Sequence, residues 1–241
     1  MQLIIADSIF EAHPELVLGI VTAHGIDNSQ DRPEISDLLR AAQASLPARI
    51  GDGVLSQHPH IAPWREAYRR FGAKPKKYPS SIENMVKRVL KGASIGHINN
   101  LVALYNVVSL THVVPVGGED LDAIEGDVWL TVAGDEEAPV RLLGEREARP
   151  PYPREIIYKD DVGTICRRWN WKEADRTKLT HETRHAVLVI ESIPPIPRTT
   201  LTRAVSELAE LVRNYCGGEV SSKVLDAEQR QCSLEREPGV A

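Results

Sequence analysis

Aromatic residues and cysteines are scarce in this chain. Of its 241 residues, two are phenylalanine, two methionine, four tryptophan and three cysteine. Cys166, Cys216 and Cys232 are odd in number and far apart, a spacing that supplies neither a disulfide framework nor a metal cluster. No apolar run nears the roughly 20 residues that span a bilayer. The opening MQLIIADSIFEAHPELVLGIV has no basic leader and carries Asp7 and Glu11 inside its apolar part, unlike a secretory signal. Neither phosphate-cradling glycine motif, G-x-x-x-x-G-K-[ST] or a strand-to-helix G-x-G-x-x-G, occurs, and no G-x-S-x-G elbow presents a serine. These absences predict a cytoplasmic, reduced, soluble protein with no cofactor and no resident metal.

The net charge is −5, which excludes a protein that coats nucleic acid by bulk attraction. The charge is uneven, however. Between Trp64 and Lys91 stand nine basic residues, Arg69, Arg70, Lys74, Lys76 and Lys77 among them, against the acids Glu66 and Glu83. Such a local excess suits either a solvated surface or a phosphate-backbone contact.

LIIADSIF and LVLGIVTAHGI are expected as strands. PEISDLLRAAQASL follows Pro33 as a helix, and WREAYRRFG as a short amphipathic one. In YPSSIENMVKRVLKG, Ser80 and Glu83 form a capping box, Ile82, Val86, Val89 and Leu90 one stripe, and Gly92 a stop. INNLVALYNVVSLTHVV is apolar nearly all round, the pattern of a buried helix. PVGGEDLDAI is expected as a loop. DVWLTVAG, EAPVRLLG, REIIYKD, GTICRRWNW and HAVLVIESI are expected as strands of an antiparallel sheet, and RTTLTRAVSELAELVRNYCGG as a last helix. Residues 226–241 are expected to fray. The sum is an α+β fold, a mostly antiparallel sheet packed with several helices, in a single domain over 1–241.

Two short stretches carry chemistry. HETRH, residues 181–185, matches the H-E-x-x-H zinc pattern, but it lies between polar KEADRTKLT and strand-like AVLVIES, with no apolar helix to hold both histidines and no third ligand. RRWNW, residues 167–171, concentrates two of the four tryptophans. Read as a strand, it puts Arg167, Trp169 and Trp171 on one face and Arg168 and Asn170 on the other. That is either aromatic packing over a sheet or, with Asp160 and Asp161 across the preceding turn, the wall of a pocket for an amino acid or a ribose.

INNLVALYNVVSLTHVVPVGGEDLDAI, residues 98–124, resembles the paired third and fourth B domains of the bacterial phenylalanyl-tRNA synthetase β subunit, the editing module that hydrolyses mischarged tyrosyl-tRNA. The matching positions include Asn99, Asn100, Asn106, Pro115 and Asp120-Leu121-Asp122. The likeness resumes through GTICRRWNWKEADRTKLTHETRHAVLVIES and covers roughly residues 60–192. With FGAKPKKYPSSIENMVKRVLKG included, the chain is more similar still to free-standing proteins of that domain family, to which RRWNW belongs. Where the synthetase module carries an editing histidine, this sequence has Gly117; the module's editing glutamate falls near Asp161 or Val162. The last strand of the module makes Thr183 the residue of interest within HETRH and the histidines incidental.

The resemblance implies deacylation of a mischarged aminoacyl-tRNA. Asp120, Glu155 or Asp161 would activate water, and Arg168 or Arg167 would hold the terminal ribose-phosphate or the developing oxyanion. Asn99, Asn106, Gly117, Gly118, Asn170 and Thr183 would line the substrate site, with Trp169 and Trp171 as stacking faces. Arg69, Arg70, Lys74, Lys76 and Lys77 would meet the acceptor stem. The expected partner is tRNA or aminoacyl-tRNA, with neither membrane nor DNA. A non-catalytic RNA-binding module and a pocket protein for an amino-acid-like small molecule are the alternatives.

Overall fold

A computed structural model describes residues 1–236. In chain order it contains β1 (Gln2–Ile5), α1 (Asp7–Ala12), β2 (Val17–His24), α2 (Pro33–Ile50), α3 (Ala62–Arg70), α4 (Ser81–Leu90) and α5 (Asn100–His112). There follow β3 (Val116–Asp120), β4 (Val128–Val132), β5 (Val140–Arg141), β6 (Ala148–Arg149), β7 (Ile156–Lys159), β8 (Thr164–Arg167) and β9 (Lys172–Glu173). The chain closes with β10 (His185–Ser192), α6 (Arg198–Cys216), β11 (Glu219–Leu225) and β12 (Gln231–Ser233).

The strands form two main sheets. One runs β11-β2-β10-β3 and is antiparallel throughout; the other runs β12-β1-β4-β7-β8-β9, antiparallel except where β1 lies parallel to β4. Strand alternation divides the core. On β2, Leu18 and Ile20 face the six-stranded sheet, while Val21 and Ala23 face the helices; on β10, Val187 points to the first side and Leu188 and Ile190 to the second. The four-stranded sheet is thus the middle layer, with α2, α4, α5 and α6 on one face and the second sheet on the other. The fold is α+β, as the sequence pattern implies.

Local rules account for most helices. The Ser80 hydroxyl caps α4 by accepting the Glu83 N–H at 3.3 Å. The Glu83 carboxylate does not return to the cap; buried, it takes Arg65 at 2.5 Å and Lys87 at 2.6 Å, tying α3 to α4. Asn99 caps α5 through the Val102 N–H at 3.0 Å, and its amide donates to the Leu179 carbonyl.

Four expectations are corrected. LIIADSIF is a strand only to Ile5: Ile9 and Phe10 are adjacent and both buried, which one helix turn allows and a one-sided strand does not. The presumed loop PVGGEDLDAI contains β3, and there a Cβ on Gly118 would lie 2.4 Å from Leu188 Cδ2 and 3.0 Å from the Val187 carbonyl oxygen. GTICRRWNW is a strand only through Arg167. The tail does not fray at residue 226, since Gln231–Ser233 pairs antiparallel with β1; residues 237–241 lie outside those described.

Candidate functional site

RRWNW is a turn. Arg168 and Trp169 both take left-handed backbone, with φ of 48° and 65°, a conformation that costs non-glycine residues about 1–3 kcal/mol each. Surrounding contacts hold it. The Trp169 N–H donates to the Ile156 carbonyl at 2.6 Å, the Arg168 N–H to Glu155 Oε1 at 2.9 Å, and the Asn170 carbonyl accepts from Ser81 at the start of α4. The reversal sends the two tryptophans to different places. Trp169 is fully buried, edge-on to Trp64 at 5.2 Å and to His13 at 4.7 Å. Trp171 is partly exposed and packs edge-on against Tyr78 at 4.9 Å, with the Arg168 guanidinium 4.5 Å from its ring centre.

Behind Trp171, between the sheets, lies a cavity of about 210 Å³. Its walls include Asn106, Gly117, Gly118, Trp169, Asn170 and Trp171, so the structure gathers these six expected residues around one space. The same space receives three glutamates that sequence reasoning did not single out: Glu119, Glu173 and Glu191. Glu191 accepts the Tyr158 hydroxyl at 2.5 Å and the Asn170 amide, whose oxygen in turn accepts the Tyr68 hydroxyl at 2.9 Å. These hydrogen bonds favour its carboxylate, but burial outweighs them and raises its pKa to about 7. Burial likewise raises Glu173 to about 7 against the opposing Gly118 N–H, which donates to Glu173 Oε1 at 3.2 Å. Glu119 is also pushed well up, by burial and then by Glu173. Asn106 lines the cavity, and its side-chain amide has no hydrogen bond to other described residues. The shape depends on Gly117, where a Cβ would stand 2.8 Å from Glu173 Oε1.

Beside Tyr78 and Arg168, the two residues packed on Trp171, runs a groove of about 620 Å³. Arg69, Arg70, Lys74, Lys77, Arg154 and Arg168 line it, with Glu155 its single acid. Arg69 and Arg70 end α3, where cations suit the helix carbonyls; both lean on Glu66, at 3.1 and 4.0 Å. Lys76 is exposed but does not line the groove. Tyr78 and Tyr152 put aromatic faces beside Arg168, at 3.8 and 5.5 Å. Burial lowers the Arg168 pKa from its ordinary value, and its Nη1 has no hydrogen-bond partner.

The remaining expected residues lie elsewhere or are already engaged. Asp161 sits on the exposed turn between β7 and β8, at the opposite end of β8 from Trp171. The expected pairing of Asp160 and Asp161 with the RRWNW arginines is replaced by two others. Asp160 takes Arg176 at 2.7 Å, while Arg167 forks onto both Glu155 oxygens at 2.9 and 2.8 Å. Glu155 also accepts two backbone N–H groups, which leaves it little capacity to activate water. Asp120 accepts the Thr183 hydroxyl at 2.6 Å outside the cavity, and Asn99 is spent on its cap. HETRH forms a turn and the first residue of β10, not a helix. Among the described residues no group of three or more His, Cys, Asp or Glu side chains is placed to hold a metal ion, and no helix is long and apolar enough to cross a membrane.

A family model, the B3/4 domain, matches residues 63–217. The chain belongs to the B3/4 family. The match runs past the roughly 60–192 of the sequence resemblance to include α6, and it takes in all of the cavity wall except Leu3 and all of the groove. A solved N-terminal fragment of the phenylalanyl-tRNA synthetase β subunit from Pyrococcus horikoshii is similar, with a TM-score of 0.47 and 10% identity. That alignment covers 90% of this B3/4 protein and 49% of the fragment, so the chain spans about half the length of that structure. Comparison with curated proteins gives no match.

Proposed function

We propose that this B3/4 protein hydrolyses the ester of a mischarged aminoacyl-tRNA in trans, with the acceptor end in the basic groove and the aminoacyl group in the cavity. One observation carries the reading: an acidic cavity and a basic groove are neighbours, since Trp171 of the cavity wall packs against Tyr78 and Arg168 of the groove wall. An aminoacyl-tRNA end has the matching polarity, phosphates on one side and an α-ammonium on the other. Lys74, Lys77 and Arg70 meet the backbone, and Tyr78, Tyr152 and Trp171 offer faces for unstacked bases.

Glu173 takes the part of general base that the sequence assigned to Asp161, Asp120 or Glu155. It lines the cavity and, with a pKa of about 7, exchanges protons near neutral pH. A water oxygen attacks the ester carbonyl and gives its proton to the Glu173 carboxylate. The tetrahedral intermediate then breaks its bond to the ribose oxygen, which takes that proton back as it leaves. Asn106, free to donate into the cavity, stabilises the oxyanion.

A non-catalytic acceptor-end binder is the second reading. It is favoured by Gly117, which stands where the resembled synthetase module has its histidine. The deciding experiment incubates the protein with tRNAs charged with a panel of amino acids and follows release of the amino acid. Selective release that falls at least about a hundredfold in Glu173→Gln, the size expected for loss of a general base, supports hydrolysis. Salt-sensitive tRNA binding without any release establishes the binder instead.

A further inference from the structure

The three cavity glutamates share an unusual electrostatic position. Glu119 and Glu191 are 7% and 3% exposed. None of the three forms an ion pair with another described residue, and Lys172, the one basic side chain on the cavity wall, gives its Nζ to Glu145 at 2.8 Å. Buried carboxylates elsewhere in this protein are matched: Glu155 by Arg167, Glu83 by Arg65 and Lys87, Asp160 by Arg176. A desolvated carboxylate without a cation is the exception that folded proteins avoid. Here two such groups, Glu119 and Glu191, face one open space together with the half-buried Glu173.

Their arrangement has a direction. On the face of the four-stranded sheet that looks into the cavity, Glu119 lies opposite Val187 and Gly117 opposite Val189. Glu191 follows two residues further along the same face of β10. At roughly 3.3 Å per residue, Glu191 stands about 13 Å along the strand from the Glu119 position. The floor between these carboxylates is Val187, Val189 and the bare backbone of Gly117, with Ile165 on the opposite sheet. The space is therefore acidic at both ends, with an aliphatic floor between them over which Glu173 stands at Gly117. Asn106, 6% exposed and with a side-chain amide unbonded to other described residues, also faces it. The three carboxyl groups are not clustered as metal ligands, which favours an organic cation as the partner.

We infer that the cavity accepts an aliphatic guest with an ammonium group at each end, namely the aminoacyl group of a diamino acid. Its α-ammonium lies by Glu119, and its side-chain ammonium is held by Glu191 within the cradle of Tyr158 and Asn170. This rests on the cavity being the aminoacyl site. A hydroxyl on the guest would leave the charge imbalance in place, because Glu191 already has two neutral donors; an ammonium removes it.

Calorimetric titration of the full chain with lysinamide, norleucinamide and tyrosinamide tests the inference without tRNA. The first two have similar chain lengths and differ in the distal ammonium; the third substitutes a phenol. Lysinamide is expected to bind at least roughly tenfold tighter than either, the preference of one charge-assisted contact. Glu191→Gln is expected to bring lysinamide down to the norleucinamide level. Equal or tighter binding of norleucinamide or tyrosinamide overturns the inference, as does absence of binding by all three. The ranking in the wild-type protein stands even if the variant folds poorly. Failure of the functional reading is separable: lysinamide selectivity with no ester cleaved from any charged tRNA removes the hydrolase and keeps the cationic guest. Cleavage of a neutral aminoacyl ester with the amide ranking reversed does the opposite.

Discussion

Replacing Glu191 by glutamine tests the cavity's electrostatics through stability alone. The carboxyl is 3% exposed, and burial raises it from an ordinary 4.5 to about 7. That difference corresponds to about 3 kcal/mol at roughly 1.4 kcal/mol per tenfold change in proton affinity. Because the folded protein holds this proton more tightly than the unfolded chain, the contribution is complete below about pH 4.5 and is lost as the pH rises through about 7. Glutamine keeps the planar shape. Its oxygen accepts from Asn170, and the Tyr158 hydroxyl turns from donor to acceptor, so no buried polar group is stranded. Relative to wild type, E191Q is therefore expected to gain about 3 kcal/mol on moving from about pH 4 to about pH 8. Glu173 titrates in the same window, so the slope of wild type alone does not isolate Glu191; the difference between the two proteins does. Urea unfolding followed by tryptophan fluorescence supplies both curves. If they run parallel across the window, Glu191 ionises normally and the account of a desolvated, cation-seeking cavity fails.

Three further outcomes follow from the same geometry. Trp169→Ala, at a fully buried ring, is expected to cost about 3–5 kcal/mol in denaturant unfolding, whereas Trp171→Ala loses mainly one aromatic pair and costs about 1 kcal/mol; the reverse order would refute the division of labour between them. Arg167→Ala leaves Glu155 charged and buried and is expected to cost about 3–5 kcal/mol, most of it recovered when Glu155→Ala is added; additive losses in this double-mutant cycle would refute the pairing. Substituting Lys74 and Lys77 together by alanine is expected to weaken tRNA binding and to flatten the slope of log K against log salt by about 1.4, near 0.7 per single-strand phosphate contact. An unchanged slope would remove the groove from the RNA interface.

What the sequence made legible was what short-range rules decide. The Ser80 cap, the all-round apolar α5 and the stripes of α4 and α6 each depend on residues within a few positions of one another. The basic run 65–91 was visible as composition, and four of its five singled-out cations line one groove. β3 was missed because a glycine pair signals a turn locally; only the close approach of Val187 and Leu188 from β10 makes those glycines strand residues. The left-handed pair Arg168-Trp169 had no local signal, since it is held by Ile156 at the start of β7 and by Glu155 just before it. The cavity glutamates come from β3, β9 and β10, and no spacing relates them. Glu191 alone left a trace, a carboxylate on the same phase as Val187 and Val189 in an otherwise apolar strand. Both faces of β10 are buried, so that phase is not marked by polar neighbours.

The opposition of charge between the cavity and the neighbouring groove narrows the class of ligand further than either half does. An RNA without an aminoacyl group satisfies the groove and leaves Glu119, Glu173 and Glu191 unneutralised. A free amino acid supplies an ammonium but brings a carboxylate in beside Glu119, Glu173 and Glu191, a repulsion that grows as these groups ionise and that low polarity magnifies. An aminoacyl ester has lost that carboxylate charge and keeps the ammonium, while its ribose and phosphates extend towards Arg168 and the lysines. Under the proposed hydrolysis, the new carboxylate would form inside the acidic cavity and be expelled by the groups that drew in the substrate. On this argument the free amino acid binds more weakly than its amide, and the gap widens as the pH rises through the range in which Glu173 and Glu191 ionise. A free acid that bound as tightly as its amide above that range would show that the glutamates do not sense the ligand's charge.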